Sequence, residues 1–359
     1  MFNFLKSLVG AESYLGVDIG TASIKIAEIS HGKARPSLKN YAMLESHGHL
    51  ERLNNAIQTN SLKIAEKETV DLLKSVLDKM KPGTTTAVAS IPSFSAFITL
   101  IEIPKMPDAD TAKTVSFQLK QYIPLPITEV AIEWLKVGEK TDENGFEKQE
   151  IMIISVPTEQ ISRYKNIFKM ASLNLQSLEI ESLSLIRASV GDDPSPALIV
   201  DIGARSTNIA VAEKGFLKYN YQTDFSGGSL TQAIANGLNI NVRRAEELKK
   251  QRGLLGGRGD YELSTLILPF LDVIINEANR ARTNYDNGHE RKIERIILAG
   301  GGANLLGIDK YVEKQTGLPT GINKPFSKLD YSASIEPFVK ELDPEFSVAI
   351  GLGIRELIK

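Results

Sequence analysis

The chain has 359 residues, too many for one small core and enough for two lobes. Hydrophobic residues make up 42% and charged residues 24%, which is ordinary for a globular protein and excludes a disordered or fibrous chain. A net charge of −2 gives no electrostatic case for nucleic acid, and the absence of cysteine excludes a disulfide framework and a thiolate metal site, in keeping with a reducing cytoplasm.

No apolar run approaches the roughly 20 residues that span a bilayer. The most hydrophobic stretch, Leu263 to Ile275, is broken by Pro269 and Asp272. Residues 1–12 read as a separate N-terminal segment, in which Phe2, Phe4, Leu5, Leu8 and Val9 surround Lys6. An interfacial anchor and a loosely packed terminus both fit it, and its shortness and weak charge favour the second. It lacks a signal peptide's cleavage pattern.

The first motif is Leu15-Gly-Val-Asp-Ile-Gly-Thr-Ala-Ser-Ile-Lys25. Leu15, Val17 and Ile19 read as a buried strand that breaks at Gly20, and Ile24 and Ile26 begin a second alternating run with Lys25 on the opposite face. This is a β-hairpin with a small-residue loop, Gly20, Thr21, Ala22 and Ser23. Small side chains let a phosphate approach backbone N–H groups in such a loop. Asp18 could hold Mg²⁺ through water at the strand end, and Lys25 is a candidate counter-charge. Taken alone, the stretch fits an ordinary hairpin turn better than a phosphate site.

Residues 26–60 read as strand, turn at His31-Gly32-Lys33, strand, and a polar loop. His47 and His49 lack a third ligand and read as loop residues. Asn60 to Met80 has helical spacing and stops at Lys81-Pro82-Gly83. A different texture begins at Thr84. Strands are expected over 86–91 and 94–103, and a helix over Asp108 to Tyr122. Ile123-Pro-Leu-Pro126 ends that helix, and further strands over 130–137 and 150–156 flank an acidic turn. Together these read as a compact α+β insertion. A helix over 157–170, a strand over 173–180 and a helix over 181–190 return the chain toward the first lobe. Asp192-Asp-Pro-Ser-Pro196 is a turn-rich linker.

The first pattern then recurs. Ala197-Leu-Ile-Val-Asp-Ile-Gly-Ala-Arg-Ser-Thr-Asn-Ile-Ala-Val211 repeats strand, Asp-Ile-Gly, polar turn and strand, with Asp201 and Gly203 in the places of Asp18 and Gly20 and Thr207 offering a hydroxyl. Two such hairpins suggest two lobes gripping one ligand. Phe225-Ser-Gly-Gly-Ser229 opens a helix whose free N–H groups would face the cleft. Val242 to Gln251 is a charged helix with Glu246 and Lys249 on one face, which by itself fits an exposed ion pair. Arg252 to Asp260 is a Gly-rich loop, 263–285 a long helix, and 291–298 leads into Ile296-Ile-Leu-Ala-Gly-Gly-Gly302. Those glycines let a flat group lie against backbone. Helices over 306–316 and 346–358 follow.

These motifs, in this order, resemble the actin-like ATPase superfamily. Ser13 to Lys25, Gln121-Tyr-Ile-Pro-Leu-Pro126, Asp201-Ile-Gly-Ala-Arg-Ser-Thr207 and Leu298-Ala-Gly-Gly-Gly-Ala-Asn-Leu305 are similar to the PilM family of type IV pilus assembly proteins, which is related to FtsA. The resemblance covers nearly the whole chain. It implies an α/β, two-lobed actin-like (ribonuclease H-like) fold with a small α+β insertion, subdomain 1C, in the first lobe. It also implies subdomain 1A at 13–86 and 157–190, 1C at 87–156, 2A at 191–225 and 291–359, and 2B at 226–290.

The resemblance implies ATP and Mg²⁺ as cofactors. Phosphate would meet Gly20, Thr21, Ala22, Ser23, Lys25, Gly203, Ala204, Arg205, Ser206 and Thr207. The nucleoside would meet Gly227, Gly228, Glu246, Lys249, Gly300, Gly301, Gly302 and Asn304. Asp18 and Asp201 would hold the metal through water. Glu181 matches the position of a water-activating residue, although a first-turn acid at a helix N-terminus reads equally well there. FtsA-like sequences carry glycines where Ala204 and Arg205 stand, so binding with slow hydrolysis is expected.

The implied function is a cytoplasmic ATP-binding scaffold, recruited to the inner membrane by the N-terminal tail of PilN. The tail would lie in a groove between 1A and 1C, with Val115, Leu119 and Tyr122 as candidate anchors. Other pilus assembly proteins and self-association are further implied partners, and membrane contact would come mainly through the partner. An FtsA-like division protein and an actin-superfamily sugar kinase or phosphatase remain as alternatives. The absence of a linker and amphipathic helix after the hinge helix is unlike FtsA, and the 1C insertion is unlike a kinase.

Overall fold

The computed structural model describes residues 13–45, 66–123, 125–141, 144–254 and 261–357. The N-terminal segment, the paired loop histidines, the first turn expected of the helix from Asn60, and residues 255–260 of the Gly-rich loop lie outside these residues.

The first lobe opens with strands β1 (Ser13–Ile19), β2 (Ser23–Ser30) and β3 (Ser37–Glu45), helix α1 (Glu66–Met80) and strand β4 (Thr86–Ile91). Strand β5 (Phe97–Pro104), helix α2 (Asp108–Tyr122) and strands β6 (Val130–Thr141) and β7 (Glu147–Pro157) form the insertion. Helix α3 (Thr158–Met170), strand β8 (Asn174–Ile180) and helix α4 (Glu181–Ser189) complete the lobe.

The second lobe contains β9 (Ala197–Ile202), β10 (Thr207–Glu213), β11 (Phe216–Thr223), α5 (Gly227–Leu238), α6 (Val242–Arg252) and α7 (Tyr261–Gly288). After these come β12 (Arg295–Ala299), α8 (Ile308–Thr316), β13 (Thr320–Ile322), α9 (Glu336–Glu345) and α10 (Ser347–Gly353).

The two main sheets have the same plan. Their orders are β3-β2-β1-β4-β8 and β11-β10-β9-β12-β13, each an antiparallel hairpin meander extended by parallel strands. Alternation along β9 explains how the second sheet is shared between layers. Leu198, Val200 and Ile202 enter the lobe's own core with α5 and α7, while Ala197 and Ile199 join a cluster dominated by the first lobe. The insertion has a separate three-stranded sheet, β5-β7-β6, and a small core of Ile101, Ile103, Val115, Ile151 and Ile153.

Three expectations need correction. Strand β4 belongs to the first sheet, parallel to β1 and β8, so an insertion beginning at 87 would remove a central strand. The insertion's own sheet starts at Phe97. The chain's last helix, α10, leaves the second lobe and packs on β1 and α4. Gly16 and Gly351 permit this, since a Cβ on either would collide with Ala349 O or Ser184 O respectively. Val115 is fully buried and Leu119 packs partly against it in the insertion core, so neither is an open groove anchor. Tyr122 does remain exposed.

Candidate nucleotide cleft

The two Asp-Ile-Gly hairpins are built alike. In the first, Asp18 pairs with Lys25 and Ile19 with Ile24, and the Gly20 N–H donates to Ser23 O at 2.9 Å. In the second, Asp201 pairs with Asn208 and Ile202 with Thr207, and the Gly203 N–H donates to Ser206 O at 3.0 Å. Gly20 to Ser23 are only half-buried at the first tip, as are Gly203, Ala204 and Ser206 at the second.

The register places two further groups. Thr207 stands where the first hairpin has Ile24, fully buried, and its hydroxyl donates to Phe225 O at 2.7 Å. The counterpart of Lys25 is Asn208, so the second turn's cation is Arg205, which is itself buried.

The opening of α5 is also committed. Gly227 and Gly228 donate their N–H groups to Gly203 O and Ala204 O, both at 2.9 Å, and the Ser226 hydroxyl caps the Ser229 N–H. The expected free amides are therefore used to latch the helix onto the second hairpin. Gly228 is required there because a Cβ would meet Ala204 O. Glu246 and Lys249 are turned onto the same helix. Lys249 Nζ lies 2.6 Å from Glu246 Oε2 and donates to Gly227 O at 2.9 Å and Thr231 Oγ1 at 2.7 Å.

The glycine triplet closes the far wall. β12 runs beside β9 with Ala299 opposite Asp201, and the chain turns at Gly300 with φ 75°. A Cβ on Gly300 would collide with Asp201 Oδ1 and one on Gly302 with Ile202, so the glycines bring this wall against the carboxylate. Gly301 is exposed. Asn304 is tied to α9, donating to Glu341 O at 2.9 Å and Glu345 Oε1 at 3.2 Å.

Between the hairpins lie three carboxylates. Burial pushes Asp201 up to about 7, and the nearby Asp18 adds to the shift. Burial pushes Glu181 up to about 8, against the N–H of Ser93, with Asp201 and Asp18 repelling its charge. Asp18 is raised by burial despite Lys25, whose Nζ is 4.0 Å away, and despite the Ser90 hydroxyl at 3.2 Å. Among the described residues no group of three acids or histidines converges to ligate one ion directly. The fit to a metal is thus an outer-sphere one: surplus negative charge at the strand ends, beside backbone that glycine keeps open.

Several residues here carried no obvious sequence signal. Ser93, Ser182, Asn208 and Asn220 form a buried chain across the lobes. The Ser182 hydroxyl donates to Asn220 Oδ1 at 2.6 Å, Asn208 Nδ2 donates to Ser182 Oγ at 2.9 Å, and the Ser93 N–H reaches Glu181 Oε1 at 2.9 Å. Asn208 could have been found by counting five residues past Gly203, as Lys25 lies past Gly20. Lys250 of α6 also reaches Glu45 of β3 at 3.9 Å, across the mouth of the cleft.

Two sheets of one plan, facing Asp-Ile-Gly hairpins and a glycine wall define a two-lobed protein of the actin-like ATPase fold. It is similar to the solved PilM-PilN type IV pilus biogenesis complex, with TM-score 0.80 and 22% identity over 97% of this chain and 99% of that one. It is also similar to the ethanolamine utilization protein EutJ from Carboxydothermus hydrogenoformans, with TM-score 0.58 and 15% identity over 99% and 93% of the two chains. MreB5 of Spiroplasma citri, bound to ADP, gives TM-score 0.54 and 15% identity over 97% of each chain. The family model described as Type IV pilus assembly protein PilM matches residues 16–357, and the chain belongs to that family.

Proposed function

We propose that this chain binds ATP with Mg²⁺ between its lobes and acts as a cytoplasmic scaffold of type IV pilus assembly, held at the inner membrane by the N-terminal tail of PilN. The observation that carries the nucleotide reading is the pair of like-built Asp-Ile-Gly hairpins, whose turn glycines stay half-open beside the buried carboxyls of Asp18 and Asp201. Gly20 to Ser23 with Lys25, and Gly203 to Ser206 with Arg205, would hold phosphates from opposite sides. Gly300 to Gly302 would carry the nucleoside, with Gly227, Gly228, Glu246, Lys249 and Asn304 shaping that wall through their protein contacts. The metal, when bound, supplies through water the positive charge that Asp18 and Asp201 lack.

Hydrolysis is expected to be slow. Glu181 already accepts the Ser93 N–H, and a carboxyl held at about 8 keeps its proton at neutral pH, so it is a poor base. The pilus role follows from the family, and the partner from the PilM-PilN complex that the chain resembles. No helix among the described residues is long and apolar enough to cross a membrane, so in this reading a partner supplies the membrane contact. The subdomains would be 1A (both ends of the first sheet, with α10), 1C from Phe97 to Pro157, 2A (the second sheet) and 2B (α5 to α7). Other pilus proteins and further copies of the chain are candidate partners of the same scaffold.

The tail would meet the insertion where Tyr122, Leu125 and Ile127 stand exposed between α2 and β6. An extended segment offers apolar side chains to such a surface and main-chain hydrogen bonds for affinity. Calorimetry with ATP, with and without Mg²⁺, tests the cleft. Capture by an immobilised PilN tail peptide tests the surface, and Leu125→Asp with Ile127→Asp should abolish capture while leaving ATP binding intact. A folded protein that binds no nucleotide under either condition would end the cleft reading.

A further inference from the structure

The insertion is fastened to the second lobe as well as the first. In the β6–β7 ladder the register slips between Lys136 and Gly138, leaving Val137 unpaired. In the β10–β11 ladder it slips between Val211 and Ala212, leaving Lys218 unpaired. Bulges re-aim side chains, and here the two meet. Lys218 Nζ makes a close ion pair with Glu150 Oε2, each side chain only 3% exposed. Gly138 lies against the pair so closely that a Cβ would collide with both.

His289, just beyond α7, completes the cluster. Its Nε2 is 3.0 Å from Glu150 Oε1, its Nδ1 is 2.9 Å from Tyr285 O, and its ring stacks on Tyr285 with centroids 4.0 Å apart. A carbonyl oxygen can only accept, and so can an ionised carboxylate. Both ring nitrogens must therefore carry hydrogen, which makes the ring an imidazolium. Glu213 Oε2 lies 3.9 Å from Lys218 Nζ, and the Tyr285 hydroxyl feels the charges of Glu213, Glu150 and Arg291. Lys292 donates to His289 O and Asp286 O at the helix end. With the proton in place, Lys218 and His289 balance Glu150 and Glu213. Without it, the joint buries an uncompensated negative charge and points an Nε2 lone pair at a carboxylate.

We propose that His289 is a proton-operated lock, whose imidazolium fastens the insertion to the second lobe and whose deprotonation releases it. Burial opposes the charged ring, but the hydrogen bonds to Glu150 and Tyr285 outweigh burial and raise its pKa above the ordinary 6.5. Burial likewise opposes the charge on Glu150, and His289 and Lys218 still hold it down at about 2. The sign follows: the lock is complete below 6.5 and is lost as pH rises through the higher folded value. If the insertion carries a partner's tail and the second lobe half of a nucleotide site, the lock couples the two. That consequence rests on the function proposed above, whereas the lock itself does not.

The test uses the full chain without ligand. NMR titration of the imidazoles, with His289 assigned through the His289→Gln variant, should place His289 above 6.5 in the native chain and below it in Glu150→Gln, where burial is left to act. Hydrogen exchange of Glu147–Pro157 and Phe216–Thr223, corrected for the intrinsic pH dependence, should lose protection by about tenfold across that titration. His289→Gln should show no such step. Native titration at or below 6.5, or the same step in His289→Gln, would overturn the proposal. Neither result bears on whether the cleft binds nucleotide.

Discussion

Asp201→Asn should stabilise the unliganded protein at alkaline pH and abolish its response to Mg-ATP. The folded chain raises Asp201 from 3.8 to about 7, chiefly through burial and then through Asp18. A raised acid holds its proton more tightly folded than unfolded. Its stabilising contribution is therefore present at low pH and is lost as pH rises through about 7. Moving from 3.8 to about 7 corresponds to about 4 kcal/mol, at about 1.36 kcal/mol for each tenfold change in proton affinity. Asp201 is partly open to the cleft and shares its burden with Asp18 and Glu181, which brings the expected effect to about 2 kcal/mol. Asparagine keeps the shape and cannot ionise. Urea unfolding at about pH 8.5 should show the variant more stable than the native chain by about that amount with m unchanged; the gap should narrow as pH falls below about 7 and close only below 3.8, where the folded and unfolded carboxyls are both protonated. Mg-ATP should then stabilise the native chain and leave the variant unmoved. A variant equal to or weaker than the native chain at the higher pH would refute the argument that a buried, ionised Asp201 costs the fold stability.

Two further outcomes follow from the same cleft. Gly300→Ala places a Cβ at φ 75° against the Asp201 carboxylate, and it should lower stability by about 2–4 kcal/mol in thermal unfolding and remove ATP binding in calorimetry. Lys250→Ala breaks an exposed pair of 3.9 Å with Glu45, so urea unfolding should change by less than about 1 kcal/mol, while ATP release measured by stopped flow should quicken.

The cleft was legible in the sequence because its key elements are local. A strand, Asp-Ile-Gly and a small-residue turn lie within a dozen residues, and the repeat at Asp201 and the triplet at Gly300 identify the rest. What was missed depends on contacts between distant residues. Strand β4 looked like part of the insertion because its apolar run does not say which sheet it joins, and only its parallel pairing with β1 decides that. The N–H groups of Gly227 and Gly228 looked free because their acceptors, Gly203 O and Ala204 O, lie on another element. Val115 has the spacing of a groove anchor and of a core residue alike, and packing against β5 and β7 makes it the latter. Glu150, Lys218 and His289 carry no motif at all, being separated by 68 and 139 residues from one another's partners.

The same distinction bears on what kind of machine the chain can be. Most polar groups around the cleft are already satisfied by protein: Thr207 by Phe225 O, Asn304 by α9, Lys249 by α5, and Glu181 by Ser93. Groups held this firmly position backbone, and they leave few side chains free for proton transfer. In the function proposed above, the Asp18 and Asp201 carboxyls stay raised by burial, and a cation with phosphate would relieve that by drawing both hairpins together. Val137 and Met152 of the insertion share a core with Ala212 and Leu217 of the second lobe, so movement of that lobe reaches the insertion through packed atoms. A nucleotide that acts on lobe position, with a partner surface on the insertion, would make the proposed scaffold one whose shape is set by its ligand. Rapid turnover would undo such a closure as soon as it formed, and a Glu181 that keeps its proton at neutral pH fits the slow hydrolysis proposed above.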